Sequence, residues 1–357
     1  MQPPTARGAL SEAVIGALTG SGRQIRPEDQ AALDVEAVRA EVRRRSAATG
    51  NGAADPLRDD DLQLALWTCY ELHYRGFDGV DSGWEWDPEL LAVRRELEAV
   101  VEADLRRRTT DWVDAALEDR GDLAERMFTL TGSFEGPPVA AYVQRDAGLA
   151  ELREFMVHRS LVTLKEADPQ SWVIPRLVGG PKATLVELQY DEYGGGHAER
   201  VHQTLFGDSL EACGLDRAYG AYIDHVPGST LAVSNTMSLL GLHRRLAPAA
   251  MGHFGAFEAS SSLPCRKYAG GIRRLNLPEA VAAYFDEHVE ADAVHEQLAL
   301  RSICGGLVEQ DPGCEREVLF GAATCLFVDA VAGEQMLTAW QQSRSSLTIP
   351  LAKEVVA

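Results

Sequence analysis

The chain has 357 residues, of which 45% are hydrophobic and 25% charged, the composition of an ordinary globular protein. That length and composition argue against a small disulfide-stapled scaffold, a disordered chain and a membrane-embedded one. The 34 basic and 54 acidic residues give a net charge of −20. Because this charge repels a nucleic-acid backbone and an anionic lipid surface, we expect neither as a partner.

The start of the chain and its cysteines predict a cytoplasmic location. No apolar run of signal-peptide length follows Met1. No later segment approaches the roughly 20 apolar residues that cross a bilayer. The six cysteines form no CxxC pair, which favours buried, reduced thiols over disulfides or a zinc ribbon.

The first 130 residues predict a flexible tail followed by a helical region. Residues 1–30 are rich in Gly, Ser, Pro and Arg without a sustained apolar period, which is typical of a tail. Residues 31–130 have a helical pattern, interrupted by a polar linker at 46–56. Asp87 followed by Pro88 predicts the N-cap and first residue of a helix.

Residues 131–357 predict a second, larger helical domain. The segments contain no run of alternating apolar and polar residues, no βαβ rhythm and no internal repeat, so the fold class is an all-α helical bundle. Pro and Gly clusters separate the predicted helices, which cover residues 141–167, 183–193, 197–213, 229–246, 249–259, 278–303 and 315–344.

The motifs of several common enzyme classes are absent. The sequence has no GxxxxGK[ST] phosphate loop, no GxGxxG opening a helix after a strand and no GxSxG nucleophile elbow. His295-Glu296 begins like a zinc-protease motif, but the residue four positions after His295 is Ala299, which cannot bind a metal.

The strongest local signal for chemistry is an HxxxDxxH pattern. His288, Asp292 and His295 stand at positions i, i+4 and i+7, so they share one face of a predicted helix. Two imidazoles and a carboxylate on one stripe form a template for a metal ion, although a solvated or packed polar face gives the same pattern.

Further ligands would come from neighbouring helices of the bundle. Glu166 precedes Pro169 at the end of a predicted helix. Glu192 lies ten residues before His202, with three glycines between them. A glycine run lets the chain leave one helix and return, so both side chains can face one centre, whereas each residue alone also suits a surface or capping role.

These residues, with the segments Lys165-Glu-Ala-Asp168 and Asp191-Glu-Tyr-Gly-Gly-Gly196, resemble the haem-oxygenase-like di-iron oxidases. The resemblance is strongest to the bacterial iron-containing redox enzymes related to the central domain of the streptozotocin-pathway N-oxygenase. It extends over residues 136–344 and implies a haem-oxygenase-like helical bundle. The preceding helices resemble the family's helical N-terminal extension, which implies dimerisation and a homodimer.

The resemblance also implies a metal centre and its chemistry. One iron would be held by Glu166, His202 and His288, and the other by Glu192, Asp292 and His295. The cofactors would be two Fe(II) ions, or one iron and one manganese, with O2 as co-substrate. A peroxide formed on the metals would hydroxylate, desaturate or cleave a small molecule of specialised metabolism, with an amino acid or its derivative as the expected substrate. An external electron donor is a further expected partner.

Four other residues are weaker candidates for the site. Glu151 and His158 lie seven apart on one helix and form an alternative ligand pair, or else have ordinary polar roles at the edge of the core. Glu258 would orient a histidine or contact a substrate amine, unless it is a buried, paired carboxylate. Arg244 would bind a substrate carboxylate, or serve as a helix cap or surface charge.

Two alternative functions stay open on the sequence. One keeps the haem-oxygenase-like bundle without a metal, as in thiamin-degrading relatives. The other is a non-catalytic helical interaction protein, in which the polar stripe carrying His288 and His295 is exposed to solvent.

Overall fold

The computed structural model describes residues 1–20, 34–48 and 55–352, except for the side chains of residues 46–48 and 290–294. In this part of the chain every regular element is helical, which confirms the predicted all-α class. The α-helices are α1 (Ala9–Thr19), α2 (Val35–Ala48), α3 (Asp60–Glu71), α4 (Pro88–Glu118), α5 (Leu123–Ser133), α6 (Val139–Arg145), α7 (Leu149–Thr163), α8 (Asp168–Ser171), α9 (Gly179–Glu192), α10 (His202–Ala212), α11 (Gly228–Leu242), α12 (Ala247–Arg274), α13 (Glu279–Gln297), α14 (Gly306–Gln310) and α15 (Glu315–Gln341). A π-helical segment, Leu298–Gly305, joins α13 to α14.

The N-terminal helices begin at acidic caps, as the sequence predicts. The Asp87 carboxylate accepts hydrogen bonds from the backbone N–H groups of Glu89 and Leu90, with Pro88 as the first residue of α4. Asp59 caps α3 in the same way. These caps supply acceptors for N–H groups that have no partner inside the helix.

The predicted tail is wrong for residues 1–20, because they include α1. Leu10 and Val14 of this helix are buried in the core. The Asp61 carboxylate of α3 accepts hydrogen bonds from the backbone N–H groups of Leu10 (3.0 Å) and Ser11 (2.7 Å). A cap supplied from 50 residues away leaves no signal in the local sequence. Residues 21–33 of the predicted tail and 49–54 of the predicted linker lie outside the described residues.

The long helix α12 is the centre of the bundle and packs against α6, α13 and α15. The prediction ended this helix near residue 259, but it continues through Pro264 to Arg274. All six cysteines are buried free thiols, as predicted. None of the described helices has the length and apolar character that a transmembrane span needs.

Glycines allow α12 and α15 to cross with their backbones in contact. A Cβ atom added at Gly252 would lie 1.8 Å from the Val318 carbonyl oxygen, and one added at Gly321 would lie 1.8 Å from the Ala249 carbonyl oxygen. No side chain fits at either position without moving the helices apart.

The substitution Gly321→Ala should therefore lower the free energy of unfolding by about 3 kcal/mol or more. The matched control is Gly132→Ala in α5, where an added Cβ meets nothing within 4 Å. This control should raise stability by about 0.5–1 kcal/mol, because alanine favours the helix. Urea unfolding followed by circular dichroism measures both values, and equal effects would contradict the close-packed crossing.

Buried His253 predicts a loss of stability in acid. Burial lowers the pKa of His253 to about 4, whereas an unfolded histidine titrates near ~6.5. The unfolded chain therefore gains a proton as the pH falls below the latter value, while the folded protein does not. Between pH 7 and pH 5 this residue should cost about 2 kcal/mol of stability.

In His253→Gln the stability difference between these two pH values should shrink by that amount, whatever the absolute stability of the variant. The same substitution at exposed His197 should leave the difference unchanged. Urea midpoints measured at both pH values test this, and an unaltered difference in His253→Gln would rule out the buried, neutral imidazole.

Candidate metal centre

The stripe of α13 that carries the HxxxDxxH pattern faces the interior. His288 and His295 are only 4% and 3% exposed, so the prediction of a solvated stripe is wrong for these two residues. The side chain of Asp292 lies outside the described residues, and its role as a ligand stays a prediction. Both described histidines point toward buried carboxylates.

Glu192 and His202 meet across the glycine turn between α9 and α10. Glu192 is the last residue of α9 and His202 the first of α10. The Glu192 Oε2 and His202 Nδ1 atoms lie 2.9 Å apart. The three glycines between them all have left-handed φ angles, and a Cβ at Gly194 would lie 2.6 Å from the Val201 backbone nitrogen. The turn thus needs glycine, as the sequence suggested.

Glu166 and His288 complete the first group of donors. Glu166 lies in the turn between α7 and α8, and its Oε1 atom is 3.7 Å from His288 Nε2. The Tyr284 hydroxyl donates to the Glu166 carboxylate, at 2.8 and 2.9 Å from its two oxygens. His288 Nδ1 donates to the Tyr284 carbonyl oxygen at 2.8 Å, which leaves Nε2 to face the carboxylate. One donor atom each from Glu166, Glu192, His202 and His288 lies within 4.8 Å of the others.

A second group of donors shares Glu192 with the first. It consists of Glu192, Glu258 and His295, again with donor atoms within 4.8 Å of one another. His295 Nδ1 is 3.5 Å from Glu258 Oε2 and 3.9 Å from Glu192 Oε1. His295 Nε2 is 3.4 Å from the Asp191 carboxylate. The Oε2 atom of Glu192 thus faces His202 of the first group, and its Oε1 atom faces His295 of the second group.

Three buried carboxylates make this interior strongly acidic. Burial, together with the nearby Glu192, raises the pKa of Glu166 to about 8. Burial likewise raises the pKa of Glu258. Burial also opposes ionisation of Glu192, but the adjacent histidines outweigh it and lower the pKa of that carboxyl group. Buried like charges of this kind are stable only with a compensating proton or cation.

The contacts between the imidazoles and the carboxylates suit a shared metal ion better than direct hydrogen bonds. His202 Nδ1 and His295 Nδ1 are buried and have no hydrogen-bond partner among the described residues. The 2.9 Å contact between His202 and Glu192 is short, yet it lacks the alignment of an N–H···O bond. Two ligands at right angles, each about 2.1 Å from an ion, lie about 3 Å apart. Mixed carboxylate and imidazole donors of this kind suit iron or manganese.

Comparison with known proteins supports this chemistry. Residues 153–330 match the model of the family described as iron-containing redox enzyme. A curated relative, the nitrosourea synthase of Streptomyces achromogenes subsp. streptozoticus, is 29% identical over 157 residues. That alignment spans 44% of this chain and 33% of the relative. Residues 153–330 therefore carry an iron-containing redox enzyme domain.

Two solved structures align with about two thirds of this chain. A CADD-like protein of unknown function from Nostoc punctiforme is 16% identical at a TM-score of 0.47, covering 64% of this chain and 97% of its own. A domain of unknown function with a haem-oxygenase-like fold, from Shewanella denitrificans, is 15% identical at a TM-score of 0.49, covering 70% of this chain and 98% of its own.

Three weaker candidates of the sequence lie outside the candidate metal centre. Glu151 accepts hydrogen bonds from the Gly148 backbone N–H and the Tyr142 hydroxyl, so it caps α7. Both ring nitrogens of His158 bond to hydroxyls, those of Thr230 and Ser346. Glu151 and His158 are therefore not a ligand pair. Arg244 is exposed in a 3₁₀ turn and lines no part of the site.

Glu258 is closer to the site than the sequence argument assumed. Its carboxylate contacts His295, as expected of a residue that orients a histidine, but it also lies among the possible donors. Tyr284 was missed as a partner of Glu166, although it precedes His288 by one helical turn on α13. That spacing is the only sequence signal that pointed to it.

Lys165, next to Glu166, anchors the turn between α7 and α8 through contacts with residues that are not metal donors. Its side chain is 3% exposed, and its ammonium group lies 3.6 Å from the fully buried Glu71 carboxylate of α3. The ring of Tyr74 lies 4.0 Å from the same ammonium group, and that of Tyr219 lies 5.6 Å away. The Tyr219 hydroxyl donates to Glu71 at 2.6 Å. This cage comes largely from residues outside the 153–330 match, and it fixes the backbone that carries Glu166.

The substitutions Lys165→Met and Glu71→Gln should each weaken Fe(II) binding by about tenfold, since both release the turn that holds Glu166. Arg126→Met is the control, because it breaks a partly buried ion pair, with Glu315, that contacts none of the donors. Anaerobic Fe(II) titration of the folded variants gives the affinities. An unchanged affinity in both cage variants would show that the cage has only a general structural role.

Proposed function

We propose that this protein is an O2-dependent, non-haem di-iron oxidoreductase acting on a small molecule. The observation that carries the proposal is the position of Glu192, whose two oxygens face His202 and His295 in two adjacent donor groups. A carboxylate shared in this way suits two neighbouring ions in a helical bundle.

In this proposal Glu166, His202 and His288 would hold one ion and His295 and Glu258 would hold the other, with Glu192 facing both donor groups. Asp292 joins the second ion by the family resemblance. When bound, two Fe(II) ions supply the electrons and the open coordination positions that O2 activation requires.

The remaining residues of the centre prepare the donors. The Tyr284 hydroxyl holds the Glu166 carboxylate in place, and the Tyr284 carbonyl selects the His288 tautomer in which Nε2 is free. Phe206 packs edge-on against Tyr284, with ring centroids 5.0 Å apart, and is itself fully buried. This apolar backing keeps water from that side of the donors.

The substrate in this proposal is an amino acid or a derivative of one, oxidised in specialised metabolism. The curated relative is named for making a nitrosourea, a group whose N–N=O unit requires oxidation at nitrogen. Because the match spans a third of that relative, its own reaction is not carried over to this chain. From this likeness we propose only that the substrate is a small molecule that contains nitrogen.

Iron stoichiometry tests the two-ion arrangement. Anaerobic titration of the wild type should give two Fe(II) per chain, and Glu192→Gln should weaken both positions by about tenfold or more, because it contributes to each. His288→Ala and His295→Ala should each remove one ion. His158→Gln replaces a buried histidine outside the centre and should bind as the wild type does.

Oxygen reactivity then tests the activity. The iron-loaded wild type should consume O2 faster when its amino-acid substrate is added, which an oxygen electrode measures across a panel of amino acids. Iron binding that His288→Ala and His295→Ala do not reduce would contradict the proposed function. So would iron-loaded protein that never reacts with O2.

A further inference from the structure

An open cleft leads from the surface to the metal donors. Its volume is about 510 Å³, within the range of small-molecule sites. Buried His202 and His295 lie at its inner end. We call it the entrance cleft. Its outer walls are formed by the exposed residues Tyr190, Asp191, His197, Arg200 and Glu287.

The entrance cleft contains an arginine without a carboxylate partner. No ion pair or side-chain hydrogen bond links the Arg200 guanidinium to any described residue. Arg217 binds Asp208 and Arg245 binds Glu102, whereas the exposed Arg244 and Arg266, which lie outside the cleft, have no carboxylate partner among the described residues, so it is the position of Arg200 in the cleft that sets it apart. In a chain of net charge −20, an arginine at the mouth of the site that no described residue pairs is available to an anionic ligand.

The backbone fixes Arg200 relative to the metal donors. The Arg200 backbone N–H donates to the His197 carbonyl at 2.9 Å, and the His197 N–H donates to the Gly194 carbonyl at 3.0 Å. Gly194 packs so closely on Arg200 that an added Cβ would lie 2.7 Å from the Arg200 carbonyl carbon. The backbone position from which the Arg200 side chain extends is therefore fixed, two residues before His202.

Negative charge lies in the same cleft, close to one of the donor histidines. The Asp191 carboxylate is 3.4 Å from His295 Nε2, and Glu287, which directly precedes His288 on α13, lines the same cleft. Positive charge thus lies at one wall, while negative charge lies beside the donors. A molecule that carries a carboxylate and a cationic nitrogen matches this arrangement in one orientation only.

We propose that the entrance cleft binds a zwitterionic small molecule, with its carboxylate on Arg200 and its cationic nitrogen beside Asp191 and Glu287. This inference rests on the proposed function and adds the orientation: the nitrogen end, not the carboxylate, faces the metal donors. Arg200 is then a specificity-determining residue of the reaction.

A smaller cavity beside His158 does not fit such a molecule. It is lined by His158, Arg159 and Tyr268 and has a volume of about 50 Å³, room for water alone. Its arginine is already paired, with Arg159 Nη1 3.6 Å from Asp329 Oδ1. The entrance cleft is the larger of the two and the one that reaches His202 and His295.

Binding under anaerobic conditions separates recognition from turnover. Wild type, Arg200→Gln, Arg200→Lys and Glu287→Gln are titrated by calorimetry with each of the twenty proteinogenic amino acids and their α-amides, with iron and without. Arg266→Gln is the matched control, because Arg266 is an exposed arginine of α12 outside the cleft.

At least one amino acid should bind the wild type, and Arg200→Gln should weaken it by about tenfold to a hundredfold, the range for a hydrogen-bonded charge. Arg200→Lys should lose less, and Arg266→Gln nothing. The α-amide of the same amino acid should bind weakly and should not respond to Arg200→Gln, since it lacks the carboxylate. Glu287→Gln should weaken the amino acid and its amide alike.

The proposal is overturned if no amino acid binds, if Arg200→Gln binds like the wild type, or if the amide is as sensitive to Arg200→Gln as the acid. If the proposed function fails, iron does not bind at the donors. The titrations without iron still show whether Arg200 binds a carboxylate. Iron and O2 reactivity without any effect of Arg200 would leave the proposed function standing and remove this inference alone.

Discussion

The mutual repulsion of three buried carboxylates is the constraint on which the centre depends. Glu166, Glu192 and Glu258 arrive from different parts of the chain, and each is at most 6% exposed. Packing alone would not place three acids in one interior, because each loses its hydration without gaining an arginine or lysine partner. The histidines of α10 and α13 offset this cost in part, and two divalent cations would offset the rest. Metal binding at these donors would therefore be coupled to the packing of α9, α10, α12 and α13.

Much of this centre was predictable because its signals are local. The spacing of His288 and His295 places both on one helical face, and the periodicity of α13 keeps that face inward. Glu192 and His202 are brought together by a turn whose glycines are adjacent in sequence, so the break between two helices predicts their meeting. The all-α class followed from the absence of alternating strands, and the cap at Asp87 from its neighbouring proline.

Other parts could not be predicted because they depend on contacts between distant segments. Glu258 lies in an alanine- and glycine-rich stretch of α12, and nothing nearby in sequence distinguishes it from a surface acid until α13 packs beside it. The α1 helix is capped by Asp61, and the Lys165 ammonium is caged by Glu71 and Tyr219. The Glu258–His295 contact joins residues 37 positions apart, and the others join residues 50 or more positions apart, so single-segment patterns do not contain them.

The cage around Lys165 also bears on how the N-terminal helices relate to the catalytic bundle. The sequence suggested a boundary near residue 131, and a dimerising role for residues 31–130 stays a prediction. Yet α3 packs against α11, α4 packs against α15, and Glu71 of α3 reaches the lysine beside Glu166. A buried ammonium that lost this carboxylate would lose its nearest compensating charge and keep only the more distant Asp168. The turn that carries Glu166 is thus built jointly by both regions, and α3 is part of the support of the metal centre rather than a separable extension.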